Sequence, residues 1–212
     1  MNRAFLVLSL IGMAGIAAAD DGGFRSLFDG KTLAGWEGDK TIFRVEDGAI
    51  IAGSKTEKVA HNEFLASTEE FGDFELRLKA RLSGKGQNAG VQFRSQRMAD
   101  HFEMIGYQCD MGTMQGRSIW GSLYDESRRR KFLADGEATK LAAAVKAEDW
   151  NDLVIQCEGR RVQIWVNGVQ TVDYTEAESE IPLRGRFGLQ IHGGEPAEAS
   201  YKDIRIKVLE GK

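Results

Sequence analysis

The side chains of this 212-residue chain best suited to chemistry lie between Asn88 and Tyr124. Side chains in an extended segment change face at every residue. In Ala89-Gly90-Val91-Gln92-Phe93-Arg94-Ser95 that puts Val91, Phe93 and Ser95 on one face, Gln92 and Arg94 on the other. In the next such segment Ile105, Tyr107, Cys109 and Met111 share a face and leave Gln108 and Asp110 opposite. If the apolar faces form a core, Gln92, Arg94, Gln108 and Asp110 gather on one outer surface. A face that merely met water would favour Lys, Glu and Thr. Amides, a guanidinium and a carboxylate among glycines suit a polar ligand instead. Farther along, Gln190 and His192 share a non-core face that ends in Gly193-Gly194, where backbone can approach a ligand closely. Imidazole titrates near neutrality and is the natural proton carrier, so His192 is the histidine best fitted to catalysis. His101 falls where the pattern breaks, beside Asp100 and Glu103, and a loop position alone points to simple exposure.

Strands must position these groups. Phe74, Leu76, Leu78, Ala80 and Leu82 alternate with Glu75, Arg77, Lys79 and Arg81, the pattern of a half-buried antiparallel strand. Glu46-Asp47-Gly48 and Asn167-Gly168 carry hairpin-turn chemistry. Leu153, Ile155 and Cys157 face a core, and so do Leu189 and Ile191. In the last strand Ile204, Ile206 and Val208 face inward, with Asp203, Arg205 and Lys207 outward. Trp36 reads as a core or edge anchor. Ala138 to Ala147, Ala-rich with spaced lysines, is the one helical segment expected, short and peripheral. Glycine is abundant, at 25 residues, which fits many strands joined by tight turns.

A formal net charge of −4 leaves no electrostatic footprint for nucleic acid. The chain holds no phosphate-cradling or dinucleotide glycine loop, no His-Glu-x-x-His helix and no Gly-x-Ser-x-Gly elbow. The Glu-x-Asp-x-x-Glu strand of sandwich-fold glucanases is also missing. Its counterpart here, Tyr107-Gln108-Cys109-Asp110, offers one carboxylate, whereas ordinary glycoside hydrolysis wants two flanking the bond. Cys109 and Cys157 both sit at core parity, as a disulfide or as free buried thiols, and neither has a partner histidine that would make it a nucleophile. Arg3, the apolar run from Ala4 to Ile16 and Ala17-Ala18-Ala19 form an export signal over residues 1–19. The apolar run is shorter than the ~20 residues that span a bilayer. Export to the periplasm or medium, with cleavage near Ala19, is expected.

The runs Ala89 to Ser95, Gly106-Tyr107-Gln108-Cys109-Asp110-Met111-Gly112 and Gly121 to Arg129 resemble the 3-keto-disaccharide hydrolase domain family. The likeness extends from Phe24-Arg25-Ser26-Leu27-Phe28-Asp29-Gly30-Lys31 through Trp36 to Ile204-Arg205-Ile206. It implies an all-β fold, an antiparallel two-sheet jelly-roll sandwich of the concanavalin A-like kind, with residues 20–212 as one domain. It also implies a carbohydrate substrate. A ketone at C3 acidifies the C2 proton, so a base can remove it and expel the C1 substituent before water adds. The resemblance then casts His192 or Asp110 as base, Arg94 and Gln190 as donors to the enolate oxygen, and Tyr124 or Glu126 as acid to the leaving group. Trp120 would stack on the sugar, Tyr107 less readily because of its core parity. Gln92, Gln108, Arg128 and Arg129 would complete substrate binding. No cofactor is called for, although a divalent metal on Asp110 and His192 could replace the arginine. A separate sugar 3-oxidase would supply the keto group. The rival expectation is a non-catalytic, lectin-like module that presents the same face to a glycan.

Overall fold

The computed structural model describes residues 22–86, 88–99 and 101–210; the expected export signal lies outside them. In chain order the elements begin with β1 (Arg25–Ser26), β2 (Trp36–Glu37), β3 (Phe43–Glu46), β4 (Ala49–Ser54), β5 (Glu63–Ser67) and β6 (Phe74–Gly84). Next come β7 (Asn88–Arg97), β8 (Met104–Met114), β9 (Arg117–Ser118), β10 (Leu123–Glu126), β11 (Phe132–Ala134) and the helix α1 (Ala138–Ala144). The chain closes with β12 (Asn151–Glu158), β13 (Arg161–Val166), β14 (Val169–Thr175), β15 (Arg186–Ile191) and β16 (Ala197–Val208).

The fold is an all-β sandwich of two antiparallel sheets. One has the order β14-β13-β12-β6-β16-β4-β3, with β1 on β16. The other has the order β11-β10-β8-β7-β15-β5-β2, with β9 on β8. Neighbours far apart in sequence, such as β6 beside β16 and β7 beside β15, are the jelly-roll crossovers. Alternation on β6 is as expected: Phe74, Leu76, Leu78 and Ala80 are buried between the sheets with Val91, Phe93, Cys109, Ile155 and Cys157. Burying such side chains stabilises by roughly 1.5–3 kcal/mol each, and this drives the two sheets together. Asp47-Gly48 and Asn167-Gly168 both have positive φ at each residue, as two-residue I′ hairpins require. Cys109 and Cys157 are free thiols on opposite sheets. Val208 keeps its register with Phe74 but is 59% exposed, because it ends the strand.

Candidate active site

The site is the outward face of the β10-β8-β7-β15-β5 sheet. Register sets it out in rows across the strands. One row runs Gln190, Gly90, Asp110 and reaches Ser122, whose carbonyl accepts from the Asp110 amide. The next runs Gly188, Gln92, Gln108, Tyr124, and Glu126 lies two residues beyond Tyr124 on the same face. His192 continues the Gln190 side past the strand end, its amide bonded to the Asn88 carbonyl at 3.3 Å. Two glycines make room for this arrangement. A Cβ at Gly90 would lie 2.7 Å from Cγ and Cδ of Gln108, and one at Gly188 would lie 2.7 Å from the Met104 sulfur. The Gln108 amide can therefore cross β7, and its Nε2 donates to Asp110 Oδ1 at 2.6 Å and to Gln190 Oε1 at 3.1 Å.

The row is buried yet incompletely satisfied. Gln92, Gln108, Asp110, Ser122 and Gln190 are all buried. Nevertheless Gln92 Oε1, Gln108 Oε1, Gln190 Nε2 and Ser122 Oγ have no hydrogen-bond partner. Native interiors leave few such groups, because each costs about 1–3 kcal/mol. Four on one face are what a polar ligand would satisfy. Burial pushes the Asp110 carboxyl up to about 8 against the Gln108 hydrogen bond, with Glu126 and Asp135 adding repulsion. Glu126 is also raised, first by burial and then by Glu103, while Ser127 and His192 pull it down. Burial raises Tyr124, and the carboxylates of Glu126 and Asp110 add to the effect.

At the mouth, Glu103 accepts from Asn62 Nδ2 at 3.1 Å and from Ser127 Oγ at 3.2 Å, and Asn62 Oδ1 accepts from the Gly193 amide. Glu103 thus ties the β10–β11 turn to the loop beside His192. His192 Nδ1 lies 2.7 Å from the Gly193 carbonyl; in the tautomer that donates there, Nε2 keeps a free lone pair. Phe64, Ala66 and Met104 form a separate small apolar cluster at the β5 side of this face. His101 is exposed, its Nδ1 accepting from the Glu103 amide.

Four expected site residues lie elsewhere. Arg94 does not share the face of Gln92. A one-residue bulge after Phe93, with Arg94 at φ 47, reverses the alternation. The guanidinium instead donates to the carbonyls of Gly72 and Gly159 and pairs with Asp73 at 2.8 Å, fully shielded from solvent. Trp120 is also misplaced, since the turn from Ile119 to Ser122 seats Gly121 against Val166 and Thr171 of the other sheet. Its indole is consequently part of the core. Arg128 and Arg129 both turn to buried Asp125, which has the core parity of Tyr107. Arg129 continues to Glu176 at 2.6 Å, which also accepts from the Tyr107 hydroxyl at 2.5 Å. Burial raises the Glu176 carboxyl, but the Arg129 and Tyr107 hydrogen bonds prevail and hold it at about 2.

Sequence reasoning passed over Ser122, Asn62 and Glu103. Ser122 has the parity of Tyr124 and was open to discovery, whereas Asn62 and Glu103 reach the site from connections that carry no periodic signal. Among the described residues no group of three or more His, Cys, Asp or Glu could hold a metal ion.

A family model described as a 3-keto-alpha-glucoside-1,2-lyase-like domain matches residues 23–207. The chain belongs to this family. Solved structures agree on the fold of this lyase-like domain. A Parabacteroides distasonis protein classed as a glycosyl hydrolase has a TM-score of 0.64 at 16% identity, covering 89% of this chain and 95% of that one. The carbohydrate-binding module CBM66 of Bacillus subtilis has a TM-score of 0.61 at 15% identity, covering 81% and 94%. The lumenal domain of VIP36, solved with Ca2+ and Man3GlcNAc, has a TM-score of 0.62 at 9% identity, covering 90% of each chain. Among curated proteins, none matches by sequence. The family and these neighbours together mark the protein as carbohydrate-related. No helix among the described residues is long and apolar enough to cross a membrane.

Proposed function

We propose that this protein is an exported enzyme that cleaves 3-keto-glycosides, or 3-keto-disaccharides, by elimination followed by hydration. The observation that carries the reading is the buried row of Asp110, Gln108 and Gln190, in which a carboxylate raised to about 8 adjoins an unpartnered amide donor. Asp110 takes the C2 proton, and the electrons move onto the C3 oxygen as an enolate. Gln190 Nε2 donates to that oxygen, the part Arg94 cannot play from its place behind the bulge. The enolate then collapses, expelling the C1 oxygen as Glu126 or Tyr124 hands it a proton. The product is a C1–C2 unsaturated 3-ketone. Water adding at C1 with a proton at C2 gives the free 3-keto sugar. A base works best with a pKa near the operating pH, which favours Asp110, while His192 at the mouth is placed for the leaving sugar.

The ketone reaches this site from a separate 3-oxidase. A divalent cation shared by Asp110 and His192 is the alternative way to stabilise the enolate, and a chelator added to the assay tests it. The likeness to CBM66 supports a second reading, a glycan-binding module without turnover. Incubation with sucrose-type disaccharides and their 3-keto forms, followed by product analysis, separates the two. Cleavage of the keto form alone supports the enzyme; binding with no product supports the module. N-terminal sequencing of the secreted protein, expected to begin near Asp20, tests export.

A further inference from the structure

The opposite sheet carries a second polar cleft on its outward face. Tyr201 of β16 points between the sheets, its hydroxyl donating to the carbonyls of Gly90 and Gln190, so Ser200 and Lys202 point outward. Ser200 is paired with Arg81 on one side and Ile51 on the other, and Glu198 with Ser83. Over this row lies a cleft of about 260 Å³ walled by Arg81, Trp150, Lys202, Glu46, Asp47 and Glu198, with Ala49 and Ile51 as its low floor. The Arg81 guanidinium and the Lys202 ammonium both rest on the Trp150 ring, 4.8 and 4.2 Å from its centre.

Two features set this cleft apart from an ordinary solvated face. Arg81 Nε, in the cleft wall, is buried with no hydrogen-bond partner, and so are Ser83 Oγ and Ser200 Oγ in the strands beneath it. Two of the three carboxylates are engaged: Glu198 is held by Arg44 at 2.7 Å and Lys55 at 3.7 Å, and Glu46 by Arg44 at 3.2 Å, while Asp47 at the turn stays in solvent. Arg81 and Lys202 are thus cations without a carboxylate among the described residues, held in place by an indole.

We infer that this cleft is a second binding site, separate from the candidate active site, for a sugar that bears a single carboxylate, a uronate. Arg81 and Lys202, held in place by the indole beneath them, meet the carboxylate, and Glu46, Asp47 and Glu198 accept from ring hydroxyls. Those same carboxylates repel a more highly charged anion, so phosphate is a poor ligand. At about 260 Å³, below the usual ~300–1,000 Å³ of drug-sized ligand sites, the cleft takes no more than one sugar unit.

Calorimetry and NMR on the full mature chain test this with methyl glucuronide, methyl glucoside and inorganic phosphate. Charge-assisted hydrogen bonds predict glucuronide binding about tenfold or more tighter than glucoside, and a similar loss in Arg81→Met and in Lys202→Gln. The Trp150 indole resonance should shift on binding. Asp110→Asn should bind glucuronide as the wild type does, and Lys202→Gln should leave 3-keto-glycoside turnover unchanged, so failure here is separable from failure of the proposed activity. Equal affinity for both glycosides, phosphate binding as tight as glucuronide, or undiminished binding in a folded Lys202→Gln variant overturns the assignment. Absence of glucuronide binding does so too.

Discussion

Two polar clusters flank the β7–β8 pair, and they differ in one respect. Behind the bulge, each nitrogen of the Arg94 guanidinium has a partner: two carbonyls and the Asp73 carboxylate. Asp125, Arg128, Arg129, Glu176 and Tyr107 form a network in which both carboxylates are bonded several times, and Arg128 Nη2, without a hydrogen bond, is ion-paired with Asp125 at 2.7 Å. On the other face, Gln92, Gln108, Gln190 and Ser122 hold unspent donors and acceptors, and Asp110 is left without a cation among the described residues. A satisfied cluster has completed its work within the fold. An unsatisfied one, kept at a cost in stability, is poised for something the fold does not contain.

Replacing Asp110 gives the sharpest test of that contrast. Asp110→Asn keeps the shape and removes the base, so turnover of a 3-keto disaccharide should fall ~10²–10⁴-fold. Stability should move the other way. The folded carboxyl titrates near 8 against an ordinary 3.8, so its ionised form is disfavoured by folding. That penalty is absent below about pH 4, grows as pH rises, and is complete above about 8. Urea titrations should therefore show the variant more stable than wild type at pH 8 to 9 and equal to it near pH 3.5. Wild-type turnover should rise with pH through the same window. A pH-independent stability difference would remove Asp110 from the role of a tuned base.

Arg94 should show the opposite pattern. Arg94→Met strands the Asp73 carboxylate and two carbonyls, and breaking one side of a buried pair costs about 3–5 kcal/mol. Chemical denaturation should register that loss, while kcat per folded molecule stays near wild type. A variant that folds normally yet turns over a hundredfold more slowly would break the contrast between the clusters.

The unspent donor comes next. Gln190→Leu deletes Nε2 and the acceptor for Gln108, leaving the strand and its Phe64 and Gly90 neighbours in place. Losing one oxyanion-type donor costs about 10²–10³ in turnover, with stability nearly unchanged because one unsatisfied group goes as another appears. If kcat holds and only KM rises, Gln190 grips the substrate without stabilising the enolate.

The fold was legible where local rules and burial agree. Alternation on β6, Asn167-Gly168 and the Ala-rich helix all follow from residue type. Within the site, parity placed Gln92, Gln108, Asp110 and Gln190 on non-core faces, because each lies in a stretch of strand without a bulge, and the family resemblance added Tyr124 and Glu126. Parity failed at Arg94, since a non-glycine residue at positive φ leaves no mark in the sequence, and one extra residue inverts every assignment beyond it. The arginines after Tyr124 looked available because their partners were hidden: Asp125 has core parity, and Glu176 lies 47 residues from Arg129. Trp120 was drawn inward by a turn whose seat, Val166 and Thr171, belongs to the other sheet.

The smallest expected effect belongs to Lys79, outward on the same β6 whose inner face holds the core. Its ammonium lies 3.7 Å from Asp203, and the two side chains are 43% and 60% exposed. Water screens such a pair, and ordering two long side chains offsets much of the attraction, so exposed ion pairs contribute about 0–1 kcal/mol. Asp203 is well solvated and loses little when left alone. Lys79→Ala should therefore shift the denaturation midpoint only slightly and leave turnover of the 3-keto substrate unchanged. Added salt should narrow even that small difference, because it weakens the pair in wild type. A loss comparable to that in Arg94→Met would mean that polar contacts on this face hold the fold as firmly as those behind the bulge. Solvent exposure would then be a poor guide to which of the molecule's ion pairs hold it together.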